Sequence, residues 1–452
     1  MKHNRIDILE SLPIPKAILY LALPSVLSMM VNILYNLTDT FFIGKLNDPI
    51  QMAAVSISLP LFVFQMAIAG IFGNGGGSYL SRLLGKKDLA AAKETTTTAI
   101  FTSAVVSILL GIAGILLIPQ FLYMVGASSE TGKFASRYIF IILLGSPLVM
   151  LQFTMVQLLR AEGAAKEAMN GLFIGTGVNI LLDPLFIFVF NMGVTGAAVA
   201  TVIGQALGMS YYLGYYLRKK SIAAPSRKYL HLRWVCYKEI LFIGIPASLS
   251  QIMMGVGNTL SFKLASVYGD HSIAAMGVAS RVLSIPIFIF IGISVGVQAL
   301  IGFNFGAHNY VRMKQAIRTS LAISLSLGAV FTLLFALFPR ALISAFITDP
   351  QIMDIGVVIL DAYVFAIPFA AIGMILMASL QAMGKALPAL IVALSRQGIV
   401  YIPAIFILNN LFGFKGLVFA LPVADGITTM VSFTFVYIIV KRLKRPPAKF
   451  EN

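Results

Sequence analysis

In the stretch Asn179-Ile-Leu-Leu-Asp-Pro184 a carboxylate, followed directly by proline, stands inside a hydrophobic run long enough to cross a bilayer. An ionised aspartate in hydrocarbon costs several kcal/mol, so Asp183 is a candidate functional residue in need of a partner. Asn179, one helical turn earlier, shares its face. A second acid, Asp39, lies in Asn36-Leu-Thr-Asp-Thr-Phe-Phe-Ile-Gly44. At 1.5 Å per residue Asp39, Asp183 and Thr201 fall roughly 6, 11 and 9 Å below the outer membrane boundary, so they sit at similar depth. Two carboxylates with no intramembrane cation in the same half of the chain are held most cheaply with a bound ion. Such a site can carry a proton, or hold a sodium ion with oxygens from Asn179 and Thr201. Pro184 lacks an N–H and its ring crowds the preceding turn, which makes it a hinge able to respond to the state of Asp183.

The elements that position these groups follow from composition. The chain has 452 residues, 59% hydrophobic and only 11% charged, with a mean hydropathy of +0.92. A soluble domain carries roughly a quarter charged residues, so this is a multi-pass membrane protein with no room for a sizeable aqueous domain. Polar and turn-forming residues divide it into twelve helices near 17–42, 52–80, 95–118, 138–159, 168–190, 195–217, 239–265, 273–303, 319–340, 356–380, 389–410 and 416–440. With the N-terminus inside, 25 cations fall in the tails and even-numbered connections, among them Lys2, Arg5, Lys444, Arg445 and Lys449. The opposite side holds only Lys45, Lys133, Arg137, Arg340 and Lys415. Both termini are therefore expected in the cytoplasm. The net charge of +16 is topology, and no nucleic-acid partner is expected. The first 16 residues lack a short apolar core with a small-residue cleavage site and are expected to be retained.

The chain also repeats itself. Leu-Pro-Ser-Val-Leu-Ser28 aligns with Ile-Pro-Ala-Ser-Leu-Ser250, and Leu-Leu-Gly-Lys-Lys-Asp88 with Asn-Phe-Gly-Ala-His-Asn309. Arg-Ala-Glu-Gly163 meets Gln-Ala-Met-Gly384, and 196–200 meets 416–420. Six helices repeated by six keep the same orientation, so the two lobes are expected to be related by a pseudo-twofold along the membrane normal. The expected division is an N-terminal lobe 1–217, a basic cytoplasmic linker 218–238 and a C-terminal lobe 239–452.

These segments resemble the multidrug and toxic compound extrusion (MATE) transporters. The resemblance rests on Leu-Pro24, Phe-Ile-Gly44, Ser-Arg-Leu-Leu-Gly-Lys-Lys-Asp88, Arg-Ala-Glu-Gly163, Asn179 to Pro184 and Gly-Val-Thr-Gly-Ala-Ala198. It is similar to the bacterial MepA-like members, and its helix-1 acid to the DinF branch. The resemblance implies cation-coupled efflux of varied, mostly cationic amphipathic drugs through a V-shaped pair of six-helix lobes. Some relatives hold sodium in the second lobe through acids near the positions of Asn258 and Ile372. Neither position is acidic here, so coupling is expected in the first lobe.

In the second half, Lys263, Arg281, Asp361 and Asp425 are expected to pair two against two, and Arg396 to anchor at the cytoplasmic interface. Candidate drug contacts are Met29, Asn32, Tyr35 and Asn36 on helix 1, Gln65 and Met66 on helix 2, and Gln152 and Met155 on helix 4. His3, His231, His271 and His308 all fall in tails or connections, which argues against a histidine proton relay. Gly70-Ile-Phe-Gly-Asn-Gly-Gly-Gly77 has no preceding strand and no following Lys-Ser/Thr, so it is a helix-packing stripe and no phosphate loop. Cys236 stands alone, which excludes an internal disulfide and a thiolate metal cluster. With no catalytic constellation, no cofactor beyond the coupling ion and no nucleotide site, the reading is a monomeric transporter, not an enzyme. The alternative with the same architecture is a lipid-linked saccharide flippase, which needs several cations facing its cavity.

Overall fold

The computed structural model describes residues 5–443, without the side chain of Arg5. Lys2, His3, Lys444, Arg445 and Lys449 thus lie outside the described residues. Every described regular element is a helix. After a short helix Arg5–Glu10, the long ones are α1 (Ile14–Gly44), α2 (Pro49–Gly85), α3 (Leu89–Leu116) and α4, a pair Ser129–Leu144 and Ser146–Ala161 bent by 51°. Then come α5 (Ala165–Pro184), α6 (Val194–Leu217), α7 (Trp234–Ala265), α8 (Asp270–Gly306), α9 (Tyr310–Leu337) and α10 (Pro350–Ala382). The last apolar stretch, Ala386–Arg442, has 57 residues. As one helix it would run about 85 Å, nearly three bilayer cores. It breaks at Gly413, whose φ of 60° is outside helical space, into α11 (from Ala386) and α12 (after Gly413). Counted so, twelve spans stand among the described residues.

The repeated motifs become repeated turns. Asp88 and Asn309 each cap the following helix by accepting from a backbone N–H three residues on, at 3.0 and 3.1 Å. The residues before them, Lys87 and His308, both take positive φ, as do the aligned glycines Gly163 and Gly384, and Gly193 and Gly413. His271 is the one histidine expected in a connection that instead opens a helix, α8.

Two compact units form, one of residues 27–248 and one of residues 1–26 with 249–452. The boundaries of these two units fall inside α1 and α7. Small residues explain why each helix's first half packs where it does. In the first unit a Cβ on Gly75 would strike the Ile240 carbonyl, and one on Gly244 the Ile71 carbonyl, so α2 and the start of α7 touch backbone to backbone. The glycine run 70–77 is this packing stripe. In the second unit Gly292 and Gly296 of α8 meet Val26 and Ala22 at the start of α1 in the same way. The basic segment after α6 is docked on the first unit. The buried Glu162 carboxylate accepts from Ser221 Oγ at 2.6 Å and Ile222 N at 3.2 Å, and Thr97 Oγ1 accepts from Ser226 N at 3.1 Å.

Candidate ion-coupling site

Glycine spacing decides what is buried between α5 and α6. Gly171, Gly175, Asn179 and Asp183 recur every fourth residue on one face of α5. Opposite them on α6 stand Thr201, Gly204 and Gly208. A Cβ on Gly204 would meet the Gly175 carbonyl and Asn179 Cβ, and one on Gly208 the Gly171 carbonyl. The helices thus approach as closely as backbones allow, and the polar ends of both stripes are sealed: Asp183 is 0% exposed, Asn179 2% and Thr201 5%. Asn179 Nδ2 donates to Asp183 Oδ1 at 3.3 Å and to Thr201 Oγ1 at 3.5 Å. Asp183 Oδ2 and Asn179 Oδ1 remain buried acceptors without a partner. Natural structures rarely leave such atoms orphaned unless an ion, a water or a proton completes them.

Pro184 ends the α-helical hydrogen-bond ladder, and the chain continues as a π-helical turn, Leu185–Val189, with Phe190 N donating to Leu185 O at 2.9 Å. Proline cannot donate to the ladder, and Leu185 N bonds Leu182 O before the wider turn begins. Helix α1 supplies the facing side chains. Tyr35 OH lies 3.4 Å from Thr201 Oγ1. Half-buried Asp39, one turn further along α1, is near enough to act electrostatically on Asp183, Tyr35 and Tyr138. Tyr138, on α4, packs against Ile43, Ile187, Val194 and Ala197. Sequence reasoning missed it, although a tyrosine near the outer end of helix 4 lies at the depth assigned to the acids. The helix there starts at Ser129, so Lys133 and Arg137 ride on its first turns and the first half is not free of cations within its helices. Both are exposed, and neither pairs with Asp39 or Asp183.

The candidate drug contacts separate into two groups. Tyr35 joins the acids, Met29, Asn32 and Met66 are half-buried, and exposed Asn36 donates to Asn32 O at 2.8 Å. By contrast Gln65, Gln152 and Met155 are core residues of their unit. Gln65 Nε2 donates to Ser146 Oγ at 2.8 Å across the α4 bend. Gln152 fills the space over Gly175 and Gly208, and Met155 packs with Tyr212, Tyr215 and Tyr216. The sequence spacing placed them on suitable helices but could not fix which way each helix is turned.

The second half also departs from the expected pairing. Buried Asp425 is bound by half-buried Arg396, with Nε to Oδ1 at 2.7 Å, so Arg396 is held in an ion pair and is not an interfacial anchor. Lys263, Arg281 and Asp361 are exposed and make no ion pair among the described residues. Arg396 sits in a second π-helical turn, Ser395–Ile399.

A duplicated bundle of membrane-crossing helices with a buried acid and a half-buried one near it in one copy is the plan of a membrane transporter. The sequence profile described as MatE matches residues 24–185 and again 246–407, and the chain belongs to the MATE family. It is 32% identical over 443 residues to the multidrug export protein MepA of Staphylococcus haemolyticus (strain JCSC1435), covering 98% of each chain. It superposes on a crystal structure of MATE in complex with MaL6 with a TM-score of 0.93, at 23% identity, over 98% of this chain and 100% of that one. A structure described as the outward-facing conformation of a multidrug resistance MATE family transporter of the MOP superfamily gives 0.90 at 23% identity, over 99% and 100%. The double profile match spans both copies of the repeat, and the fold is the all-helical two-lobe MATE fold.

Proposed function

We propose that this protein is a cation-coupled antiporter that exports varied, mostly cationic amphipathic drugs by alternating access, with the proton as coupling ion and sodium as the second candidate. Asp39, Asp183, Asn179 and Thr201 hold the ion, with Tyr35 closing the site. The observation that carries this reading is the pair of orphaned buried acceptors, Asp183 Oδ2 and Asn179 Oδ1, beside a second acid with no cation paired to either. A proton on Asp183 turns one acceptor into a donor and removes a buried charge. Sodium, a hard cation, is suited by the same carboxylate, amide and hydroxyl oxygens. The Pro184 turn next to Asp183 links the state of the acid to the shape of α5. Relatives named multidrug export proteins support the substrate class, and the basic connections support a cytoplasmic membrane location with both termini inside.

Cells expressing the protein should accumulate less ethidium than cells with the empty vector, and collapsing the proton gradient should restore accumulation. Equal dye levels in all four conditions would remove the drug-export reading.

A further inference from the structure

The basic end of the second unit carries a groove of about 420 Å³ between α9, α10 and α12. Its rim holds Lys314 and Arg318, one turn apart on α9, and Lys441 near the end of α12. Its floor and walls are apolar, with Ile317, Leu376 and Val436 buried. Phe433 and Tyr437 stand stacked and exposed along one wall, and Lys441 Nζ lies 5.8 Å from the Tyr437 ring centre. No carboxylate lines the groove.

A surface that only solvates positive charge needs neither an apolar trough nor an aromatic wall beneath it. Three cations drawn from two distant stretches, converging over a trough that runs toward the membrane interior, fit an amphiphile with an anionic head and a hydrocarbon tail. We propose that this groove binds an anionic diacyl phospholipid of the cytoplasmic leaflet. Its phosphate sits among Lys314, Arg318 and Lys441, and one acyl chain lies along Ile317, Leu376 and Val436. Arginine supplies a forked donor for phosphate and lysine a mobile charge, while the tyrosine ring sits at headgroup level.

The test uses the purified full-length protein in detergent, incubated with equal amounts of dioleoyl phosphatidylglycerol and dioleoyl phosphatidylcholine and read by native mass spectrometry. Wild type should retain the anionic lipid at least about tenfold over the zwitterionic one, with each rim cation contributing about fivefold. The variant K314Q/R318Q/K441Q should retain both lipids alike, and K441Q alone, at an exposed helix end, should lose about fivefold of the preference. Leu321→Trp, which fills the trough without changing charge, should lower retention of both lipids. Equal retention of the two lipids by wild type would overturn the proposal. So would a preference that survives in K441Q and in the triple variant, or release of the lipid by millimolar inorganic phosphate, which would mark a free-phosphate site.

Discussion

The two copies of the repeat solve the same packing problem with opposite chemistry. The profile matches end at 185 and 407, which lays Asp39 on Ser261, Asn179 on Tyr401 and Asp183 on Ile405. The aligned glycines 163 and 384 differ by one residue less, and the π-helical turn Ser395–Ile399 lies between, where a wide turn adds a residue. In the first copy these positions are two acids and an amide with orphaned oxygens. In the second, Tyr401 OH and Ser261 Oγ satisfy each other at 2.9 Å, and Ile405 is fully buried in an apolar cluster. Ionised groups nearby are neutralised in place, Arg396 against Asp425. One copy is closed and self-sufficient, whereas the other is left short of a cation. That asymmetry is what the proposed function requires, a scaffold paired with a working half.

If the second copy is scaffold, moving the acid into it should be costly. Ile405→Asp buries an unpaired carboxylate and should destabilise the protein by about 3–5 kcal/mol, read as a lowered midpoint in detergent unfolding. A neutral result would mean that the site tolerates charge and that the two halves are alike. Breaking the native pair should cost somewhat less. Arg396→Gln leaves Asp425, 3% exposed, without its counter-charge at about 2–4 kcal/mol, and replacing both by leucine should recover most of the loss. Recovery is the telling outcome, because a pair used in coupling would regain stability but not transport. The smallest effect belongs to the edge of the working half. Tyr35→Phe removes one long hydrogen bond to Thr201, worth about 1 kcal/mol, and should leave coupled transport present with a shifted ion dependence.

Part of this was readable in the sequence. Asn179, Asp183 and Thr201 came together as expected because one-turn spacing and equal depth are properties of any helix crossing a membrane. The repeat was legible because Asp88 and Asn309, or Gly163 and Gly384, do the same local work at caps and turns. Tyr138 and the Arg396–Asp425 pair were not legible. Helices that are apolar all round carry no stripe that says which face is inward, and the turn at 395–399 shifts the phase of everything after it. The division of the units inside α1 and α7 was hidden as well, since it rests on glycines of α2 and α8 meeting helices distant in sequence.

The central claim is that the first copy's acids exchange an ion for a drug. It is tested most directly by dye efflux from proteoliposomes with proton and sodium gradients imposed separately, comparing wild type with Asp183→Asn and Asp39→Asn. The account predicts efflux driven by one of the two gradients in wild type and only passive leak in Asp183→Asn. Full gradient-driven efflux in Asp183→Asn would contradict it.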